Sequence, residues 1–313
     1  HLNLILKKNL SKNPLKNQNY IKNYRILKNL NHNHNKPLNL NSNLGLLKKK
    51  KYLLYIIMTN IQEKEYDKKI NITATKFSCD DIDDSIPAPL PRRGGFAMLI
   101  VGRPGYGKTS LINSLICKSG KCFNRKFDRV FLWSPSMITM EDDPYELVPQ
   151  EQKFEEATLE NIQGVLDEIK DSGEKILFIL DDVISDVRGK GKGQIENLLQ
   201  KCFFNRRHLA GYGGSVSIIA TSQSYVKVDP KLRKTCSHLI QYKPQKKEIE
   251  NIYDDMITIP KPVFMDVLRY IYKKKHDFMF LDLQQEDTKQ IHKNFTQLLI
   301  KSPLIQDDFE LEE

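Results

Sequence analysis

Two patterns of apolar residues alternate along this chain. Short, mostly apolar runs stand at residues 96–101 (FAMLIV), 127–133 (FDRVFLW), 175–180 (KILFIL), 215–221 (SVSIIAT) and 238–242 (HLIQY). Runs of this length, rich in β-branched and aromatic residues, predict strands buried on both faces. Between them the period becomes helical. Leu159, Ile162, Leu166 and Ile169 share one face until Ser172-Gly173 stops the helix, and Ile195, Leu198, Leu199, Cys202 and Phe203 form a second apolar stripe. Residues 110–116 (SLINSLI) continue the first run as a helix. Strands alternating with helices at this spacing predict an α/β fold, a mostly parallel sheet with helices on both faces. After Lys243 the pattern changes to two helices, at 245–255 and 262–272, and then an edge strand at 278–283. No internal repeat is visible.

The chemistry sits where these strands end. The first run leads into Gly102, Arg103, Pro104, Gly105, Tyr106, Gly107, Lys108 and Thr109, followed by Ser110 at the start of a helix. This is G-x-x-x-x-G-K-[ST] between a strand and a helix, the setting in which its glycines let backbone N–H groups curl around a phosphate chain. Lys108 is placed to reach the β- and γ-phosphates, and the Thr109 hydroxyl to ligate Mg²⁺. The expected ligand is a nucleoside triphosphate. The third run, 176–180, emerges at Asp181-Asp182. Asp181 would hold Mg²⁺ through water, and Asp182 would polarise the attacking water; a solvated loop acid is the plainer reading of Asp182. The fourth strand ends in Ser222-Gln223-Ser224. If that strand lies between the other two, Gln223 points at the γ-phosphate; a simple polar strand end is the alternative.

Cationic residues offer less specific signals. Arg206, Arg207 and His208 close a helix, where the macrodipole alone favours basic residues. The sharper reading is an arginine finger that completes a neighbouring subunit's site, with Arg233 (in DPKLRKT) as the rival. Residues 188–193 (RGKGKG) form a glycine-rich basic loop, and its Arg188, Lys190 and Lys192 are candidate DNA contacts beside the reading as a solvated turn. Lys273 to His276 reads as a solvated helix end, and Trp133 as core.

Charge divides the chain. Residues 1–57 hold 11 Lys, 1 Arg and no Asp or Glu, whereas 58–313 holds the other 37 basic and all 39 acidic residues. The pI therefore describes the leader rather than the folded part. The leader begins with His1, is rich in Asn, Lys and Leu, and precedes the first methionine, Met58. The expectation is an untranslated upstream extension, with a basic DNA-binding arm or a targeting segment as alternatives. No run reaches the ~18 apolar residues of a membrane span. The five cysteines, Cys79, Cys117, Cys122, Cys202 and Cys236, are irregularly spaced, which fits reduced thiols of an intracellular protein and argues against zinc.

GRPGYGKTSL, FLWSPS, FILDD, RRHLAGYGGSVSIIATSQSY and DPKLRKTCSHLI together resemble the genome-packaging ATPases of poxviruses, giant viruses and virophages, within the FtsK–HerA group of DNA pumps. The resemblance spans about 96–283. It implies a P-loop NTPase with a five-strand core, the Gln223-bearing strand inserted between the loop strand and the Mg²⁺ strand. It implies ATP with Mg²⁺, a homo-oligomeric ring, and double-stranded DNA threaded into a capsid, with capsid or capsid-vertex proteins as partners, in the infected cell or the virion. Lys108, Thr109, Asp181, Asp182 and Gln223 match the family's positions, and Arg206 and Arg207 compete for its finger. The corresponding domains are a 1–57 leader, a 58–95 extension and linker, a 96–283 ATPase domain with a helical appendage, and a 284–313 segment with an acidic tail. A small-molecule kinase is an alternative, although no arginine-rich lid is visible; an ATP-dependent assembly scaffold without translocation is another.

Overall fold

The five apolar runs lie side by side as parallel strands. The structure, a computed structural model, describes residues 75, 77–116, 122–137, 143–184 and 191–301. The leader 1–57, the extension as far as 74 and the tail from 302 lie outside the described residues. The parallel strands are β1 (Ala97–Val101), β2 (Arg129–Trp133), the two-residue β3 (Lys153–Phe154), β4 (Lys175–Leu180), β5 (Ser215–Ser222) and β6 (His238–Tyr242). Three antiparallel strands complete the sheet: β7 (Phe278–Asp282), β8 (Ile291–Lys293) and β9 (Thr296–Gln297). The spatial order is β3-β2-β4-β5-β1-β6-β7-β8-β9. Thus β5 is inserted between β1 and β4, with Ile218 opposite both Ala97 and Phe178.

The unbroken apolar character of these strands has a direct cause, since every residue of β1 is buried and successive side chains enter opposite layers. Leu99, Val101, Phe131, Trp133, Phe178 and Leu180 pack on one face with helices α2 (Leu159–Ile169), α3 (Lys192–Asn205), α5 (Lys246–Met256) and α6 (Lys261–Ile271). Met98, Ile100, Leu132, Leu177 and Ile179 meet α1 (Lys108–Ile116) on the other. Ile86 and Leu90 of the proline-rich stretch before the sheet are also buried in that second layer. A short α4 (Pro230–Thr235), begun by Asp229 accepting from the Lys231 amide and by proline at the first turn, precedes β6.

Some local expectations change. Residues 278–283 were expected at the sheet edge, yet β7 is internal because β8 and β9 extend the sheet beyond it. Strands of three and two residues, IHK and TQ, are too short and polar to carry a readable alternation. On α2, Leu159 is 40% exposed and Val165 takes the buried place. Leu159 is the first residue after the Thr158 cap, whose hydroxyl accepts from the Asn161 amide, so its side chain still lies over the entering loop. Among the described residues no helix is long and apolar enough to cross a membrane.

Phe178 joins the strands to the helix layer, with its ring edge-on to Phe131 at 6.0 Å and to Trp133 at 5.2 Å. Phe178→Ala is expected to lower stability by about 3–5 kcal/mol. Urea unfolding checks this, and a loss below about 1 kcal/mol would show that the layer closes over the cavity.

Candidate active site

In a parallel sheet covered on both faces, the carboxyl ends of the strands form the natural binding crevice. Here β1, β4 and β5 end together, with Val101 opposite Ser222 and Leu180 opposite Ala220. The phosphate loop leaves β1 at Gly102, whose amide donates to the Ser222 carbonyl at 3.0 Å. A Cβ at Gly102 would come within 2.8 Å of the Tyr242 ring, so only glycine fits beneath the loop. Gly105 and Gly107 have φ of 74° and 93°, the left-handed backbone that the loop's curl requires. Arg103, Pro104 and Ser110 are exposed, while Tyr106 is half-buried, with its ring edge-on to Tyr242 at 6.1 Å.

The structure brings together Lys108, Thr109, Asp181, Asp182 and Gln223. The Lys108 ammonium, 7% exposed, donates to the Gly102 carbonyl at 2.9 Å and lies 3.7 Å from Asp182. The Thr109 hydroxyl donates to Asp181 Oδ2 at 3.1 Å. Asp182 has φ of 89°, a left-handed conformation unusual for a residue with a side chain and often found at functional sites. Successive strand residues normally point to opposite faces. Here both carboxylates meet the same hydroxyl, because Thr221 Oγ1 lies 2.8 Å from Asp181 Oδ1 and 3.2 Å from Asp182 Oδ1. Gln223 Nε2 is 3.4 Å from Asp182 Oδ2. Asp181 is buried, whereas the Asp182 side chain is 32% exposed and opens onto the crevice.

Three contributors were not anticipated. Thr221 lies within a strand whose threonine reads as an ordinary β-former. Tyr145, from a stretch without helical or strand period, donates its hydroxyl to Asp181 Oδ2 at 2.8 Å. Burial, with the Asp181 charge beside it, holds this phenol protonated, well above its ordinary range. His276 is the third. The Lys273 to His276 cluster was expected to be only a solvated helix end, but His276 Nδ1 lies 3.2 Å from the Tyr106 carbonyl of the phosphate loop. The chain reversal between α6 and β7 carries it there.

The arginines do not join this cluster. Arg206 donates to the Gly95 carbonyl at 2.7 Å and to Phe203 at 2.5 Å. Arg207 pairs with Asp80, donates to Cys79 Sγ at 3.3 Å and lies 4.8 Å over the Phe77 ring. Both stand at the amino ends of the strands, opposite the phosphate loop of their own chain. Arg233 is 5% exposed, 4.5 Å over Tyr225 and 3.4 Å from Asp255. Arg188 and Lys190 lie outside the described residues, and Lys192 opens α3, 3.7 Å from Glu196. Cys117 also lies outside the described residues; Cys79, Cys202 and Cys236 are free thiols, and burial pushes Cys202 and Cys236 up to about 12.

Residues 98–244, which contain the loop, both carboxylates and Gln223, match the family model described as "ATPase family associated with various cellular activities (AAA)". The chain carries an ATPase domain. Its fold is that of a P-loop NTPase, and such a domain binds nucleotide. Among solved structures, the DNA-packaging ATPase B204 from Sulfolobus turreted icosahedral virus is similar over 63% of this chain and 96% of its own, at 15% identity and TM-score 0.44. The genome-packaging NTPase B204 from Sulfolobus turreted icosahedral virus 2, in complex with sulfate, is similar over 66% and 98%, at 13% identity and TM-score 0.47. The pCW3 conjugation coupling protein TcpA, with ATPγS, is similar over 66% and 61%, at 13% identity and TM-score 0.46. No curated protein matches in sequence.

Lys108→Ala in the ATPase domain is expected to cut hydrolysis by at least about 10²-fold while the circular dichroism spectrum is retained. Asp181→Asn is expected to keep measurable ATP binding and to lose turnover, because the amide presents one acceptor oxygen where the carboxylate presents two. Steady-state hydrolysis and filter binding check both. Normal turnover in either variant would remove that residue from the site.

Proposed function

We propose that this chain is an ATP-driven motor that translocates double-stranded DNA and packages a viral genome into a capsid. The observation that carries the reading is the insertion of β5 between β1 and β4, with Gln223 3.4 Å from Asp182 and Asp182 3.7 Å from Lys108. A neutral amide in that position can register whether a third phosphate is present and pass the difference along β5. The sequence resemblance points to the same class of machine.

The residues present fit Mg²⁺ as well as ATP. Thr109 gives its proton to Asp181, which leaves its lone pairs free for a cation. The Asp181 oxygens already accept from hydroxyls, which suits contact with a metal through water. When bound, the ion would neutralise charge on the phosphate oxygens. Lys108 supplies a second positive charge at the phosphates, and Asp182, partly open to solvent, is the group that accepts a proton from or orients the attacking water.

Motor action further requires a homo-oligomeric ring, DNA contacts and a capsid or capsid-vertex partner, in the infected cell or on the virion. The basic residues Arg188, Lys190 and Lys192 follow the carboxylate strand directly and are the proposed DNA contacts. Arg206 and Arg207 face away from their own phosphate loop, an arrangement suited to service in a neighbour's site; the Arg207–Asp80 pair would have to open for that.

ATP hydrolysis is expected to rise steeply on addition of duplex DNA and with protein concentration, alongside a ring-sized mass in light scattering. An unchanged rate with DNA would overturn the motor and leave an assembly scaffold. Mixing Lys108→Ala with Arg207→Ala subunits is expected to restore activity, since one supplies an intact finger and the other an intact loop. Fingers of this kind contribute about 10³–10⁵ in rate. If Arg206→Ala, Arg207→Ala and Arg233→Ala all hydrolyse ATP at the parental rate with DNA present, no trans finger operates.

A further inference from the structure

We infer that Tyr145 is a positioning residue for the cation site, orienting the Asp181 carboxylate from outside the phosphate loop and the two catalytic strands. The inference rests on the Mg²⁺ reading of Thr109 and Asp181. Tyr145 is 1% exposed, and its hydroxyl donates to Asp181 Oδ2 at 2.8 Å, the same oxygen that accepts from Thr109 at 3.1 Å. The opposite oxygen accepts from Thr221 at 2.8 Å. A carboxylate gripped on one oxygen by Thr221 alone could still tilt about that bond. Two donors on the other oxygen fix the plane of the group, and with it the direction in which Thr109 presents its lone pairs. A buried tyrosine needs some hydrogen-bond partner for its hydroxyl, and packing alone would satisfy that with any acceptor. Tyr145 instead shares an acceptor atom with the proposed metal ligand, and outer partners of this kind tune metal sites.

Tyr145 is itself held. Its amide donates to Asp143 Oδ1 at 2.8 Å, and Asp143 Oδ2 pairs with Lys153 at 2.5 Å. Lys153 opens β3, the outermost strand on that side of the sheet. A chain of contacts therefore runs from the edge strand through Asp143 and Tyr145 to Asp181.

The test is binding of a fluorescent ATP analogue to the full chain, titrated with Mg²⁺, for the parent, Tyr145→Phe and Thr109→Ala. Tyr145→Phe keeps the ring and removes only the hydroxyl. The expected result is analogue binding in EDTA equal to the parent, with the Mg²⁺ midpoint raised by about 10-fold or more. Asp143→Asn, which weakens the hold on the Tyr145 turn while leaving its hydroxyl, is expected to raise the midpoint by a smaller factor. A parental midpoint in Tyr145→Phe beside a raised one in Thr109→Ala overturns the role of Tyr145 and leaves the cation site standing. A parental midpoint in Thr109→Ala overturns the cation site itself. Loss of analogue binding in EDTA by Tyr145→Phe, or a melting temperature well below the parent's, also overturns the inference, since the hydroxyl would then serve the fold and not the cation.

Discussion

Asp181 carries a negative charge into a place that is 2% exposed, while Lys108 stands by its neighbour Asp182. Leaving such an anion without partners would be costly, because water no longer solvates it. Three hydroxyls meet it instead: Thr109 from the start of α1, Thr221 from β5 and Tyr145 from the 143–149 turn. Each hydrogen bond to a charged group contributes about 1.5–3 kcal/mol. The phosphate loop, the inserted strand and the turn must all be in register for the carboxylate to remain satisfied. The fold around the crevice is organised by that requirement as much as by apolar burial.

Adjacent carboxylates acquire different chemistry through the backbone between them. Asp181 ends a strand and stays in its hydrogen-bonded plane. The left-handed turn at Asp182 brings the second carboxylate to the same Thr221 hydroxyl, yet leaves it one-third exposed beside Lys108 and Gln223. One acid is saturated and fixed; the other keeps an open side toward solvent and a cation. Two side chains of the same type, one residue apart, thereby stand in different surroundings, one enclosed by hydroxyls and the other open to solvent.

Much of this was legible along the chain, and the reasons are specific. Strands covered on both faces must be apolar throughout, so 97–101 and 175–180 announce themselves, and Lys108, Asp181 and Gln223 are visible as the polar residues that follow. The position of β5 between β1 and β4 came from family resemblance, since spacing cannot order strands whose connections are all long enough for several arrangements. Tyr145 and His276 were illegible because each reaches the site from an irregular segment, where no period tells which way a side chain points. Thr221 was hidden by its fitness as a strand residue. The partners of Arg206 and Arg207 lie at Gly95 and at 77–80, contacts separated by more than a hundred residues and invisible to local patterning.

The sheet's borders have a consequence for assembly. Among the described residues its outermost strands, β3 and β9, are two residues each, Lys153–Phe154 and Thr296–Gln297. An exposed, long border strand is a template on which another chain can add its own backbone, the route to uncontrolled polymers. Two-residue borders give a passing strand almost no ladder to join. The described sheet therefore offers little backbone for another chain to extend, and contacts with other molecules fall to side chains on helices and loops, surfaces that can let go and re-form without unravelling the strands.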